Sequence, residues 1–322
     1  CTIAATQANM LRFVRARLVI LLLGNAVLAL RSSKKSDRLC IVRTSGDEPV
    51  NLFLRSPSSL AIAFGENPST VETEVRCLNK LSCDANKYSD SVGNVTDCPA
   101  CNCNVDDTAI SSPSNRMLFD SISSACVHAT RDRPVDVLML GLGGGEVHRH
   151  THKSCPGGTR IRSVELDSRV AGIAERYFGI NLVDGASEVV VADAGKEVHA
   201  LSAARVVDGA GLPRRVTGAP AGMGLDGWDV ITVDCFIGHG VTPESCRSPA
   251  FVKALRSILK PGGIALQHLW HYSPEVSVVA ENYKQTLAQY QSTFGKDAVS
   301  TVAVPRDKAI QWDTMVVARS SS

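Results

Sequence analysis

Several features that would settle a protein's class at once are missing from this chain. Its 34 basic residues are offset by 32 acidic ones, leaving a formal net charge of +2. No surplus of either sign is available to hold a polyanion or a basic partner, and nothing indicates nucleic acid. Aromatic residues make up 5% of the composition and the 8 histidines are scattered. No repeat is visible, and the one extended apolar run, Leu18–Leu30, is shorter than a comfortable membrane span. What remains is a globular chain of 322 residues, long enough for one large domain and something smaller.

Cysteine, by contrast, is plentiful and unevenly placed. Five of the 11 crowd into "CLNKLSCDANKYSDSVGNVTDCPACNC", beside an Asn94-Val95-Thr96 glycosylation sequon. This polar stretch has too few apolar residues to fold by burial alone, and disulfides in an oxidising compartment would hold it. Zinc on Cys98, Cys101 and Cys103 is the rival reading, but the five-residue gap between Cys77 and Cys83 is wide for a zinc ribbon. The first thirty residues agree with the oxidising compartment. "MLRFVRAR" carries three arginines, the apolar run follows, and Val27-Leu28-Ala29 offers small residues for cleavage. That is the layout of a secretory signal, with Met10 a candidate initiator and a signal anchor the alternative. The expected location is therefore the secretory pathway or beyond it.

The rest divides by pattern. Residues 1–30 are the leader, 31–70 a small β unit ("RLCIVRT", "VNLFLRS", "SLAIAFG") and 71–113 the cysteine-rich insertion. Residues 114–322 form an α/β domain. Its strands "DVLML", "IRSVEL", "EVVVAD", "WDVITVD" and "GIALQHL" alternate with helical stretches such as "SRVAGIAERYFG" and "FVKALRSILK". Such alternation, without room for hairpins, implies a parallel sheet covered on both faces. "AVSTVAV" and "QWDTMVVAR" close it as an antiparallel pair, and the Gly/Pro/Arg-rich stretch 208–227 is a surface loop.

"VLMLGLGGGEVHRH" holds the most chemistry. Open parallel sheets bind ligands beyond the carboxyl ends of their strands, and Gly141 to Gly145 lies at such an end. Bare backbone there lets a ligand approach closely, and a helix beginning near Glu146 would aim amides at it. The dinucleotide fingerprint requires a sixth-position glycine where this chain has Glu146, a carboxylate unfavourable to a pyrophosphate. Three acids follow in order on successive strand ends. Glu165 stands where a carboxylate accepts ribose hydroxyls, Asp193 where one accepts an adenine amino group, and Asp234 where a reacting group would lie. Each alone is as readily a helix cap, the role expected of Asp167. Together with Gly141, Leu142, Gly143, Gly145, Leu166 and Ala194 they describe a site for S-adenosylmethionine or its decarboxylated form, with Asp234 positioning or deprotonating the acceptor. His239, His268 and His271 are candidate additional bases.

In order, "VLMLGLGGGEVHRH", "VELD", "ADAGKEV", "WDVITVDCF" and "LKPGGIALQ" resemble the motifs of the spermidine-synthase-like branch of class I S-adenosylmethionine-dependent methyltransferase folds, over about residues 115–319. The resemblance implies a Rossmann-like, seven-stranded sheet, and the small β unit is loosely similar to the N-terminal β domain of aminopropyltransferases. Departures bear on the reaction. Spermidine synthases carry, at the position of Gly144, an Asp that anchors the donor's amine. Their second fourth-motif Asp corresponds to Ile237 here, and their Tyr-His-Glu-Met motif matches only at Met117. An amine acceptor with several charges would lose most of its partners, whereas a methyl donor retaining its carboxylate would be repelled by an Asp at 144. The expectation is methyl transfer to an unknown small-molecule or protein acceptor. Alternatives are aminopropyl transfer, an inactive secreted binding protein on this fold and, least favoured, an NAD-dependent oxidoreductase. By analogy with aminopropyltransferases a homodimer is possible.

Overall fold

A computed structural model describes residues 38–44, 47–65, 71–84, 89–127, 129–130, 132–155, 158–181, 186–205, 223–224, 226–237, 240–273, 276–305 and 312–321. The leader, most of the Gly/Pro/Arg-rich loop and His239 lie outside these residues.

A five-stranded sheet comes first, built from β1 (Arg38–Val42), β2 (Val50–Ser56), β3 (Ser59–Phe64), β4 (Thr73–Arg76) and β5 (Ser89–Val92) in the order β4-β3-β2-β1-β5. The cysteine-rich stretch supplies two of its strands. β1 and β5 run parallel, the other pairs antiparallel. Eight cysteines pair at disulfide distance: Cys40 with Cys98, Cys77 with Cys103, Cys83 with Cys101 and Cys126 with Cys155. The three thiols weighed for zinc thus go to three different partners, and no cluster of metal-binding side chains occurs among the described residues. Loops of 18 to 58 residues closed this way each remove about 3–4 kcal/mol of chain entropy from the unfolded state. Such crosslinks hold a segment whose own core is slight, and they agree with an oxidising compartment.

The second sheet has seven strands in the order β11-β12-β10-β9-β6-β7-β8. They are β6 (Val135–Leu140), β7 (Thr159–Glu165), β8 (Ser187–Val191), β9 (Trp228–Val233), β10 (Leu259–Trp270), β11 (Val299–Ala303) and β12 (Asp313–Arg319). The five from β10 to β8 are parallel, and β12 runs antiparallel to both β10 and β11. This is the Rossmann-like methyltransferase architecture expected above. All six residues of β6 are buried, as a central parallel strand covered on both faces requires.

Helices α1 (Pro113–Cys126) and α2 (Glu146–Ser154) cover one face. α4 (Ala194–Ala204), α5 (Pro249–Ile258) and α6 (Val278–Phe294) cover the other. Side chains start three of them where the local sequence says they should: Ser112, Asp193 and Ser248 accept from the backbone three residues on. α3 (Ser168–Tyr177), capped by Asp167 as expected, packs Val170, Ile173 and Tyr177 against the small sheet. No helix among the described residues is long and apolar enough to cross a membrane.

Candidate functional site

Strand order reverses between β6 and β9: from β6 the chain builds outward through β7 and β8, then returns to the other side with β9. A crevice opens beyond the carboxyl ends of these strands, and a cavity of about 220 Å³ occupies it. Eight of the nine residues singled out from the sequence line it: Gly141, Leu142, Gly143, Glu165, Leu166, Asp193, Ala194 and Asp234. The ninth, Gly145, caps α2 from behind.

Two glycines have a specific steric cause. Gly141 has φ +98°, and a Cβ there would lie 2.3 Å from the carbonyl oxygen of Asp234. The ends of β6 and β9 therefore touch backbone to backbone. At Gly144 the obstacle is a side chain: a Cβ would come within 2.5 Å of the Phe178 ring and 2.6 Å of Thr73 Oγ1. Phe178 is fully buried, and the Thr73 hydroxyl accepts from the Gly144 amide at 3.2 Å. Thr73 of the small sheet and Phe178 at the end of α3 thus fill the space where the resemblance implies the aspartate of spermidine synthases.

Glu165 holds the glycine turn in shape. Its Oε2 accepts from the amides of Leu142 and Gly143, each at 3.1 Å, and its Oε1 from the amide of Asp167 at 3.0 Å. Burial pushes its carboxyl above the usual range, against the pull of these three amides and with a smaller push from Asp167. Three of roughly four acceptor positions are filled, leaving one for a ligand hydroxyl. The same contacts weigh against a pyrophosphate, because two loop amides that would cradle it already serve a carboxylate. Glu146 is likewise committed: 4% exposed, it accepts from the Ser111 amide, the Ser111 hydroxyl and Asn115 Nδ2.

Asp193 is a helix cap that also borders the cavity. Its Oδ1 caps α4 through the Lys196 amide at 2.8 Å, and the residue lines the cavity. Asp234, one residue past β9, bonds His268 Nδ1 through Oδ1 at 2.9 Å. His268 Nε2 lies 3.3 Å from Asp313 Oδ2. Burial alone would lower the His268 pKa, but the hydrogen bonds and charges of the two carboxylates outweigh it and raise it from 6.5 to about 9. The two carboxylates thus favour the imidazolium form, in which both nitrogens donate. His271 bonds Thr314 Oγ1 at 3.0 Å and does not line the cavity.

Residues not singled out from the sequence complete the walls. Phe64, Glu72 and Thr73 come from the small sheet and its β3–β4 connection, Asn115 and Leu118 from α1, and Cys235, Phe236 and Cys246 from the loop after β9. Five carboxylates line the cavity (Glu72, Glu146, Glu165, Asp193, Asp234), and among the described residues no lysine or arginine does. Such a wall favours a cationic occupant.

No known family profile matches the chain. The human eEF1A lysine and N-terminal methyltransferase is 30% identical over 145 residues, which is 42% of this chain and 18% of that protein. The Drosophila melanogaster homolog is 25% identical over 148 residues, 46% of this chain and 20% of that protein. The chain therefore matches about a fifth of the length of these relatives. Among solved structures, a spermidine synthase in complex with the transition state analogue AdoDATO covers 88% of this chain and 74% of its own, with a TM-score of 0.55 and 13% identity. A probable spermidine synthase from Corynebacterium glutamicum covers 87% and 79%, with a TM-score of 0.54 and 15% identity. Both likenesses fall in the branch that the motifs resemble: methyltransferases by sequence, spermidine synthases by fold.

Proposed function

We propose that the chain is an S-adenosylmethionine-dependent methyltransferase whose acceptor is an amine, on a protein or a small molecule. The observation that carries the choice is at Gly144, where Phe178 and Thr73 fill the position of the donor-amine anchor of aminopropyltransferases. The cavity residues fit the cofactor: a floor of bare backbone at Gly141 and Gly143, one acceptor position left on Glu165 for a ribose hydroxyl, and an exposed Leu166 at the rim for an adenine face. Asp193 Oδ2 is available to the adenine amino group. When bound, S-adenosylmethionine supplies a methyl group already activated by the sulfonium, so the protein must chiefly align the acceptor, keep out water and remove one proton. Asp234 is the residue placed to orient the acceptor nitrogen or take that proton, and an anionic wall suits an amine. The sequence relatives, named for lysine and N-terminal methylation, support nitrogen on a protein.

Calorimetry with S-adenosylmethionine and S-adenosylhomocysteine tests the reading. Both should bind, and Glu165→Ala should weaken both at least tenfold, the equivalent of one charge-assisted hydrogen bond. Absence of binding would favour an inactive secreted protein on this fold. A second reading is supported by the lining, in which no lysine or arginine occurs among the described residues: none of these supplies a side-chain cation for the methionine carboxylate, which decarboxylated S-adenosylmethionine lacks. If the decarboxylated compound binds the more tightly, aminopropyl transfer to a polyamine precursor becomes the better assignment.

The four cysteine pairs support a cleaved leader and passage through the secretory pathway. Asn94 and Thr96 are exposed, which suits glycosylation of the sequon. Acceptor access through the rim and any homodimer belong to the same proposal.

A further inference from the structure

His268 and Asp313 stand on the adjacent strands β10 and β12, and Asp234 directly follows β9 on the other side of β10. Their exposures fall in sequence: side chains of Asp234, His268 and Asp313 are 32%, 7% and 4% exposed. Asp234 alone of the three lines the cavity. His268 lies behind it, with the edge of Phe236, itself a cavity residue, against the imidazole at a centroid distance of 5.2 Å. Asp313 lies behind His268. The groups that set the charge of the histidine are therefore Asp234 on its cavity side and Asp313 on its far side. Asp234 Oδ1 is held by the histidine, and among the described residues Oδ2 receives no donor.

We infer that His268 is a positioning residue of the proposed transfer: clasped by Asp313, it fixes one oxygen of the Asp234 carboxylate and leaves the other to meet the occupant of the cavity. The inference rests on the methyl-transfer reading and adds a residue pair to it. An ionised carboxylate on a free side chain samples several rotamers. One tied to a buried imidazolium, itself tied to a second buried carboxylate, is preorganised, so that no reorientation is needed when an acceptor arrives. His268 does not take the acceptor's proton, since both its nitrogens already donate.

A histidine that merely ties three strands together and is screened from the cavity would not respond to the charge there. A positioning histidine would respond, because a cationic occupant and the imidazolium share Asp234. The test is a nuclear magnetic resonance pH titration of the full chain with 13C-labelled histidine, the signal of His268 assigned with His268→Gln. It is run without ligand, with S-adenosylhomocysteine and with S-adenosylmethionine, which differs by a methyl group and one positive charge. His268 should titrate near 9 in the free protein. It should titrate at least about half a unit lower with S-adenosylmethionine than with S-adenosylhomocysteine, as expected for like charges across a partly buried site. Equal values in the two complexes would overturn the inference while leaving the cofactor reading intact. Failure of both compounds to bind would remove the cofactor reading itself. Asp313→Asn, which does not touch the cavity, should lower the His268 titration by about a unit and leave S-adenosylhomocysteine affinity within about twofold. A titration unmoved by Asp313→Asn would also overturn it.

Discussion

Gly144→Ala is the most direct test of why this site departs from its structural relatives. The backbone at 144 is not in the left-handed region, so a methyl group there meets only its surroundings. Those are the Phe178 ring at 2.5 Å and Thr73 Oγ1 at 2.6 Å, both nearer than real Cβ atoms approach. Phe178 is fully buried in the core shared by the small sheet and α3. Overpacking of this kind costs about 1–3 kcal/mol. Weakening the bond between the Gly144 amide and Thr73 adds about 1 kcal/mol. A loss of about 2–4 kcal/mol is expected in urea unfolding, and Gly144→Asp should lose at least as much. If the ring is the obstacle, Gly144→Ala in a Phe178→Leu background should cost about 1–2 kcal/mol less than in the wild type, a coupling resolvable by a double-mutant cycle. A Gly144→Ala variant as stable as wild type, or strict additivity with Phe178→Leu, would refute the steric account and reopen the aminopropyltransferase assignment.

Glu165→Ala leaves the amides of Leu142, Gly143 and Asp167 without their carboxylate; about 2–4 kcal/mol should be lost in urea, since cavity water replaces part of what is removed. Stability should also depend on alkaline pH through His268. Its folded pKa, about 9 against an ordinary 6.5, makes its contribution complete below about pH 6.5 and lost as pH rises through 9. The loss is about 3 kcal/mol by linkage, and His268→Gln should flatten that slope in urea melts at graded pH. In a glycosylating host, secreted protein should lose mass on treatment with an N-glycosidase, and Asn94→Gln should be insensitive to it; equal masses before and after treatment of the wild type would exclude use of the sequon.

The ligand cavity was legible in the sequence to an unusual degree, for a topological reason. In a parallel sheet every strand delivers its carboxyl end to the same edge, so the order Gly141, Glu165, Asp193, Asp234 on successive strands already places these residues together without knowledge of any long-range contact. Less could be said where pairing is not implied by order. The cysteines left their connectivity open because it depends on β5 lying parallel beside β1, which brings Cys40 to Cys98. Phe178 and Thr73 gave no sign of meeting Gly144, being 34 positions after it and 71 before it. The carboxylate of Glu165 was expected to face ligand and largely faces the loop instead. A sequence shows that an acid ends a strand, but not which donors reach it first.

His268, named from the sequence only as a candidate base, and Asp313, not named at all, are a different case, because a signal existed. β10 is paired on both sides, and from Ala265 to Leu269 every residue is buried. A strand in that position should be almost entirely apolar, yet "ALQHL" carries Gln267 and His268 at its centre. A buried imidazole is costly unless partnered, so the sequence already required an acceptor near 268. The partners could have come only from the neighbouring strands, and of those β9 is followed at once by Asp234 while β12 begins with Asp313. Violations of the local pattern tend to gather at functional sites, where selection acts on chemistry as well as on packing. Here the violation lies one residue deep behind the cavity, where His268 does not line the space but bonds Asp234, which does.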